Sequence, residues 1–454
     1  MSVLGFMDPN ATTVAAIATP PGTGAVALIR MSGPRAGQFA EAVFRGRRRE
    51  NWTPRQQHFG RIVDERGSTI DEVLLTYFPG PGSFTGEDIV EIATHGGVVV
   101  TNRVLERLLE EGAIPAEPGE FSRRAFFNGR IDLTQAEAIM DLISAQTELA
   151  AKAATEQLSG RLGGEIEEIR LELVSLIAHV EAYIDFPDED IDPDSSDNLI
   201  SRTSAIRERI SRLLDTSRQG RILREGLRTV ICGAPNAGKS SLLNVLLGFD
   251  RAIVDPMAGT TRDTIEEVIN LRGIPVRLID TAGIREDAER VERQGVERSR
   301  RQMETAELIL LVIDSSAPAD QVEDVNPPRG ARVLRILNKS DLAAHPDWSE
   351  ADGLRVSCLA TGADELIRDF LYDNITSDGV DTASLMSING RHQNCLRQAR
   401  TELELATRQM ELGESPEFIA VHLRDALSSI GDVVGKTDIE EILGEIFSTF
   451  CIGK

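Results

Sequence analysis

Residues 233–240 form the pattern GxxxxGK[ST], which is typical of loops that bind phosphate groups. A strand-like apolar run precedes this segment, GAPNAGKS, and a helix-like run follows it. Its glycines let backbone N–H groups approach phosphate oxygens, and the amino terminus of the next helix adds positive potential. Lys239 suits the β- and γ-phosphates, and the Ser240 hydroxyl suits Mg²⁺. The segment therefore predicts a nucleotide phosphate loop.

Two later segments predict how Mg²⁺ and the γ-phosphate would be recognised. Residues 280–283, DTAG, end an apolar run, so Asp280 could hold Mg²⁺ through water and Gly283 could sense the γ-phosphate. Thr261, within residues 259–263, is placed to complete the Mg²⁺ shell.

Guanine is the base that the remaining motifs favour. Residues 338–341, NKSD, offer a carboxylate that can accept hydrogen bonds from the N1–H and exocyclic amine of guanine, which adenine cannot supply. Ser357, Cys358 and Leu359 lie where such proteins bring a backbone N–H to the guanine O6. Cysteine replaces the usual alanine, but a backbone contact survives that change. In this order the motifs predict GTP.

The position that usually orients the attacking water holds a residue that cannot do so. Ras-like enzymes have a glutamine directly after Asp-x-x-Gly, whereas this chain has Ile284. Arg285 is near but equally suits a surface salt bridge, and residues 286–292 offer carboxylates that could hold water or face solvent. Asn236 adds a side-chain oxygen near the α- and β-phosphates, which suits either a monovalent cation or stabilisation of the loop.

The whole chain, with 454 residues, is long enough for about three domains. No apolar run reaches the ~20 residues of a membrane span, and the first ten residues lack the features of a signal peptide. A net charge of −24 argues against a protein coated in nucleic acid, although it leaves room for a local basic groove. The four cysteines lack the spacing of a metal site or disulfide framework, so we expect a reducing cytoplasm.

Periodicity divides the chain into a mixed region and two helical blocks around an α/β region. Strand-like runs occur at residues 14–17, 25–31, 72–78 and 89–93. Helical periodicity covers residues 133–183 and 199–214, with Gly160, Gly163 and Gly164 as expected interruptions, and it returns at residues 393–410, 419–427 and 439–447. Strand and helix patterns alternate over residues 228–371, as in a parallel sheet with covering helices. We therefore expect a discontinuous helical domain with a nucleotide domain inserted into it.

The chain as a whole resembles the MnmE (TrmE) family of tRNA modification GTPases. In the first region the matching motifs are at residues 18–22, 83–88, 95–97 and 118–121. In the helical regions they are at residues 133–138, 185–187, 223–226 and 451–454 (CIGK). Motifs in all three regions, in this order, are far more specific than the GTPase motifs alone.

The resemblance implies a multidomain fold. It comprises an N-terminal α+β folate-binding-like domain that dimerises (1–128), a discontinuous all-α helical domain (129–224 and 382–454) and an inserted α/β P-loop GTPase domain of the Ras-like type (225–381). It also implies K⁺-dependent, Mg²⁺-dependent hydrolysis stimulated when two GTPase domains meet. With the FAD-dependent protein MnmG (GidA), such proteins install a carboxymethylaminomethyl or aminomethyl group on C5 of the wobble uridine of certain tRNAs. A tetrahydrofolate derivative, in 5-formyl or methylene form, is the one-carbon donor.

The resemblance also assigns roles to residues. Glu292 matches the family's catalytic glutamate, and the K⁺ ligands correspond to Asn236, Asp255, Met257 and Thr260. The folate contacts correspond to Arg30, Glu91, Arg130 and Lys454, with Arg130 where lysine is expected, so charge is kept but geometry is not. The motifs and the resemblance together predict GTP binding by Asn236, Ala237, Gly238, Lys239, Ser240, Ser241, Asp255, Pro256, Met257, Ala258, Gly259, Thr260, Thr261, Asp280, Thr281, Ala282, Gly283, Asn338, Lys339, Ser340, Asp341, Ser357, Cys358 and Leu359.

Two alternatives concern the C-terminal end of the chain. Cys451 has the chemistry of a thiol nucleophile on uridine, but no base partner is visible, so we expect it to lie beside the substrate. The rival function is a GTPase switch acting in ribosome assembly, which a basic C-terminal RNA-binding module would favour. Residues 431–454 are not strongly basic, which favours tRNA modification.

Overall fold

The computed structural model describes residues 12–185, 196–249, 267–279, 304–319, 327–377, 388–436, 446 and 450–453. The chain forms two compact units, of which the first comprises Met1–Met140 and Gly431–Lys454 and the second Asp141–Ile430. The chain thus leaves the first unit, builds the second and returns. Within the described ranges, none of the helices combines the length and apolar character needed to cross a membrane.

A seven-stranded sheet is the centre of the first unit. Its strands are β1 Val14–Ile17, β2 Val26–Ser32, β3 Phe44–Arg45, β4 Gln57–Val63, β5 Thr69–Phe78, β6 Ile89–His95 and β7 Ile114–Pro115. Their spatial order is β3-β4-β5-β6-β2-β1-β7, and neighbours are antiparallel except for the parallel pair β1 and β7. The four strand-like runs of the sequence correspond to β1, β2, β5 and β6.

Helices α1 Ala36–Val43 and α2 Val98–Glu110 cover one face of this sheet. Two further helices follow, α3 Glu120–Phe127 and α4 Leu133–Ser144, and Phe121 of α3 packs with Val14 and Ala16 of β1 on the other face. Ile29 and Met31 of β2 and Ile92 of β6 are buried in the core beside α1 and α2. Because side chains alternate along a strand, Arg30 and Glu91 lie on the opposite face.

The end of the chain packs against the start of the first unit. Ile452 pairs with Pro118 in an isolated antiparallel bridge, and the Gly119 N–H donates to the Cys451 carbonyl at 3.4 Å. Gly453 has a φ of 97°, and an added Cβ would lie 2.5 Å from the Ile17 carbonyl oxygen. Glycine is therefore required for this approach.

The helices of the second unit precede its sheet in sequence, lie between its strands or follow it. They are α5 Glu148–Leu158, α6 Arg161–Asp185, α7 Ser196–Asp215, α8 Ser217–Glu225, α9 Lys239–Leu247, α10 Ala363–Thr376, α11 Gly390–Leu412 and α12 Pro416–Val434. Helices α7 and α11 pack together although the sheet separates them in sequence, and Gln393 donates to the Ser217 hydroxyl at 2.7 Å. The helical part is therefore discontinuous.

The prediction that three glycines interrupt the first helical block was wrong for two of them. Gly160, with a φ of 85°, separates α5 from α6, but Gly163 and Gly164 lie inside α6. A glycine inside a helix costs up to about 1 kcal/mol relative to alanine. Helix α6 buries Ile166, Ile169 and further apolar residues at helical spacing, and burial of each contributes more than that cost.

A mostly parallel six-stranded sheet forms the core of the second unit. Its strands are β8 Leu227–Cys232, β9 Glu267–Leu271, β10 Ile274–Leu278, β11 Leu308–Asp314, β12 Arg332–Asn338 and β13 Leu354–Arg355. The order is β13-β12-β11-β8-β10-β9, and only the β9–β10 pair of these strands is antiparallel. Ligands of such sheets bind at the carboxyl ends of the parallel strands, which here are the ends of β8, β11 and β12.

Candidate functional site

The phosphate loop connects β8 to α9 with a tightly constrained backbone. Gly233, Asn236 and Gly238 have φ values of 142°, 63° and 103°. An added Cβ on Gly233 would lie 2.1 Å from the Val312 carbonyl oxygen, and one on Gly238 would lie 2.0 Å from Asn338 Nδ2. Both positions therefore require glycine, because of the backbone conformation and because of the close neighbours.

Lys239 begins α9, and its ammonium group lies against the phosphate loop. Its Nζ donates to the carbonyl oxygens of Gly233 and Ala234 at 2.8 and 2.9 Å. This places a positive charge beside the loop where phosphate oxygens would bind. Ser240 follows in the first turn of α9 and is exposed, which fits a hydroxyl ligand of Mg²⁺.

One buried amide joins the phosphate loop to both segments that are predicted to contact the base. Asn338 is 3% exposed, and its Nδ2 donates to the Ala237 carbonyl at 2.9 Å. Its Oδ1 accepts from the Cys358 N–H at 3.0 Å. Sequence patterns predicted each segment but not the bonds between them. The structure thus brings residues 237, 338 and 358 into one site.

Lys339 and Asp341 follow Asn338 at the carboxyl end of β12. The Lys339 ammonium lies 2.6 Å from Asp314 Oδ2, at the end of β11. Burial acts to raise the pKa of the Asp314 carboxyl, but hydrogen bonds from Lys339 and Ser316 hold that pKa below its usual value. Asp341 is exposed, which is compatible with its predicted contact with guanine. Asp314 was not predicted from the sequence as a site residue. Its position, as a carboxylate at the end of an apolar strand, could have indicated it.

The segment that follows β13 has two buried residues and one exposed residue. Ser357 and Cys358 are buried and Leu359 is exposed. Burial raises the pKa of the Cys358 thiol to about 11, so the thiol is neutral at physiological pH. The Cys358 N–H donates to Asn338 Oδ1, and its contact with the guanine O6 stays a prediction.

Several predicted residues lie outside the part of the chain that the structure describes. They are the segments 255–261 and 280–283, the catalytic candidate Glu292 and the folate candidate Lys454. Asn236, predicted to contact K⁺, is described and lies exposed on the phosphate loop. Within the described ranges, no group of three His, Cys, Asp or Glu residues could hold a metal ion. A metal at this site would therefore depend on hydroxyl, amide and phosphate oxygens or on residues of the segments named above.

A second candidate site lies on the first unit, where Arg30 of β2 faces Glu91 of β6. The strand register pairs the two residues, and Arg30 Nη2 and Nε lie 2.7 and 2.9 Å from Glu91 Oε1. Each side chain is 22% exposed. The guanidinium carbon of Arg30 lies 5.9 Å from the ring centroid of Phe84 and 5.7 Å from that of Phe121. Charged groups beside aromatic rings suit a planar heterocycle with hydrogen-bonding edges.

The other predicted folate contacts lie near elements that carry these rings. Arg130 is exposed, and its Cγ lies 3.4 Å from where a Cβ on Gly86 would lie, two residues after Phe84. Residues 451–452 of the tail pair with residues 118–119, just before the helix that carries Phe121. Cys451 is an exposed free thiol, whereas Cys232 is buried in the core.

The parallel sheet, the constrained phosphate loop and the Asn338-linked base segments define a P-loop nucleotide-binding domain of the GTPase class. This domain is inserted into helices and is accompanied by a separate sheet domain.

Comparisons with known proteins cover nearly the whole chain. The family model described as the MnmE helical domain matches residues 133–451, and that described as the GTP-binding protein TrmE N-terminus matches residues 13–130. A protein of Akkermansia muciniphila named tRNA modification GTPase MnmE is 49% identical over 98% of this chain and 100% of its own length. A protein of the same name from Natranaerobius thermophilus is 42% identical over 97% of this chain and 99% of its own length. The chain therefore belongs to the MnmE family of tRNA modification GTPases.

The resemblance and fold class predicted from the sequence are thereby confirmed. Among solved structures, the FeoB G-domain of Methanococcus jannaschii matches 33% of this chain and 96% of that chain, at 20% identity and a TM-score of 0.23. That likeness is too weak to carry an argument.

Proposed function

We propose that this chain is a K⁺-dependent GTPase that adds a carboxymethylaminomethyl or aminomethyl group to C5 of the wobble uridine of certain tRNAs. It acts in the cytoplasm as a homodimer through its N-terminal domain, together with an FAD-dependent partner of the MnmG (GidA) class. The observation that carries the proposal is the occurrence in one chain of the Asn338-linked nucleotide site and the Arg30–Glu91 site. Membership of the MnmE family supports this combination.

In the nucleotide site, the chain binds GTP through backbone groups and a few side chains. Residues 233–238 surround the phosphates with N–H groups, and Lys239 places its charge beside the β- and γ-phosphates. Asp341 accepts hydrogen bonds from guanine. Ser240, with Thr261 and Asp280, would hold Mg²⁺, which neutralises charge on the phosphates when it is bound.

Hydrolysis needs a positive charge and a group that orients water. Asn236 and residues 255–260 would hold K⁺, which supplies charge where other GTPases use an arginine finger. Glu292 orients the attacking water through a bridging water, because a carboxylate in direct contact would repel the γ-phosphate.

In the first unit, Glu91 and Arg30 bind a tetrahydrofolate derivative in 5-formyl or methylene form. Both Arg30 bonds go to Oε1 of Glu91, so Oε2 can accept from the guanidine-like edge of the pterin. Arg130 and Lys454 suit the carboxylates of the folate tail. The bound folate supplies the one-carbon unit.

Replacing K⁺ by Na⁺ at matched ionic strength tests the hydrolytic part of the proposal. An arginine finger is worth ~10³–10⁵ in rate, so GTP turnover should fall steeply in Na⁺. Glu292→Ala should bind GTP but hydrolyse it poorly, and Asn236→Ala should bind GTP without responding to K⁺. Equal turnover in the two salts would reject this mechanism, although GTP binding would stand.

A further inference from the structure

An exposed aromatic ring lies on a rigid loop beside the Arg30–Glu91 pair. Phe84 is 38% exposed, whereas its neighbours Ser83 and Thr85 are buried. The Ser83 hydroxyl donates to the Glu87 carbonyl, and the Thr85 hydroxyl lies 2.7 Å from that of Ser32 on β2. The backbone on both sides of Phe84 is therefore held in place. What distinguishes this exposed ring from others at the surface is its place, because the guanidinium carbon of Arg30 lies 5.9 Å from the ring centroid.

The same loop carries one half of a buried ion pair. Arg124 of α3 is 2% exposed, and its Nη1 lies 3.1 Å from Glu87 Oε2. Nη1 also donates to the Thr12 carbonyl at 2.8 Å, and Nη2 donates to Glu120 at 2.7 Å. Glu87 Oε2 also accepts from the Ser32 hydroxyl at 2.6 Å. A buried charge is costly without such partners, and loss of one partner of a buried ion pair leaves the other charge uncompensated.

This ion pair joins the two elements whose rings flank Arg30. Phe84 belongs to the loop that carries Glu87, and Phe121 lies one turn before Arg124 on α3. A second bond between these elements runs from Asn128 Nδ2 to the Thr85 carbonyl at 2.7 Å. Phe121 is fully buried, so Phe84 is the ring of the two that a ligand beside Arg30 can reach.

We propose that Phe84 stacks on the heterocycle of the folate in the Arg30–Glu91 site, and that the Glu87–Arg124 ion pair positions the Phe84 ring. The inference rests on the proposed function, which supplies the class of ligand: a planar pterin with a hydrogen-bonding edge. It adds one ligand-binding residue and two positioning residues that were not predicted from the sequence.

The first test compares two exposed phenyl rings of the full-length protein. Phe127 is a matched control, because it is 48% exposed and the guanidinium carbon of Arg123 lies 5.8 Å from its ring centroid. Phe84→Leu should raise the Kd for 5-formyltetrahydrofolate roughly tenfold in calorimetry, as loss of an aromatic contact predicts. Phe127→Leu should leave the Kd unchanged, and Phe84→Tyr should keep most of the affinity.

The second test separates positioning from a general structural effect. Glu87→Gln should raise the same Kd several-fold, and the double variant Glu87→Gln, Phe84→Leu should bind no more weakly than Phe84→Leu alone. A Glu87 that acts through Phe84 has nothing left to position once the ring is lost. If the two effects instead multiply in Kd, Glu87 does not act through Phe84. Thermal unfolding of each variant shows whether it is folded.

The outcomes distinguish this inference from the proposed function. If the wild-type chain does not bind 5-formyltetrahydrofolate, the folate part of the proposed function fails and the inference fails with it. If the wild type binds and Phe84→Leu binds equally well, the proposed function stands and only the inference is overturned.

Discussion

The nucleotide site and the Arg30–Glu91 site are assembled in different ways. The first is built from short contiguous segments that end parallel strands, and Asn338 links them through backbone groups. The second combines side chains from separate parts of an antiparallel sheet, a loop and a helix. Parallel strands bring their carboxyl ends to one edge, so local motifs suffice for the nucleotide site. The antiparallel site depends instead on register, which no single motif contains.

We expect the nucleotide site to work independently of the Arg30–Glu91 site. Of the substitutions compared below, the largest effect should come from Lys239. Lys239→Ala should lower GTP turnover by on the order of 10³, because the ammonium beside the phosphate loop is lost. Steady-state phosphate release measures this, with Lys152→Ala in α5 as the control. A loss of 5-formyltetrahydrofolate affinity in the same variant would break the separation between the sites.

Asn338→Ala tests whether one amide joins the segments of the nucleotide site. Its removal leaves the Ala237 carbonyl and the Cys358 N–H without their buried partner, which should cost about 3 kcal/mol. GTP affinity in calorimetry should fall about 100-fold. Asn374→Ala, which removes a hydrogen-bonded amide from α10, should leave GTP affinity near that of the wild type. Similar affinities for the two variants would contradict the linking role.

Removal of residues 451–454 tests the Arg30–Glu91 site separately from the nucleotide site. A chain that ends at Phe450 lacks Lys454 and the segment that bonds to Pro118 and Gly119. Its affinity for 5-formyltetrahydrofolate should fall roughly tenfold with the loss of a charge-assisted contact, and tRNA modification should fall with it. GTP turnover should be normal. Full-rate modification of tRNA by the shortened chain would show that the tail has no part in the site.

The smallest expected effect concerns Cys358 in the nucleotide site. Burial raises its pKa from 9.0 to about 11. Below about pH 9 the thiol is protonated in both the folded and unfolded states, so its contribution to stability is fully present. As pH rises towards 11 the unfolded state loses its proton first, and this contribution is lost.

Urea denaturation at pH 8 and pH 10.5 measures that contribution. The difference in free energy of unfolding between the wild type and Cys358→Ala should shrink at the higher pH. A difference for Cys358→Ala that does not change with pH would contradict the assignment.

Contiguous motifs explain why most of the nucleotide site could be predicted from the sequence. The phosphate loop and residues 338–341 and 357–359 each occupy a few neighbouring positions, and apolar runs around them indicate strands. The Asn338 bonds could not be predicted in the same way, because they depend on how separate segments pack. Asp314 ends an apolar strand, which is visible in the sequence, but its bond to Lys339 depends on packing and was not predicted.

The Arg30–Glu91 site was predicted only through the family resemblance. The two residues are 61 positions apart, and their contact depends on the register of β2 against β6. Phe84, Glu87 and Arg124 were missed as site residues, because an exposed ring or a buried ion pair is not visible in local patterns. At Gly163 and Gly164 the local pattern predicted too much, because the low helix propensity of glycine predicted a break. Burial of apolar residues along α6 keeps the helix continuous there.

Nucleoside analysis of tRNA from cells that lack this chain tests the central claim most directly. The C5-modified wobble uridine should disappear, should return with the wild-type chain, and should not return with Lys239→Ala or with the chain that ends at Phe450. Unchanged wobble uridine together with a defect in ribosomal subunits would contradict the account and would favour a GTPase switch in ribosome assembly.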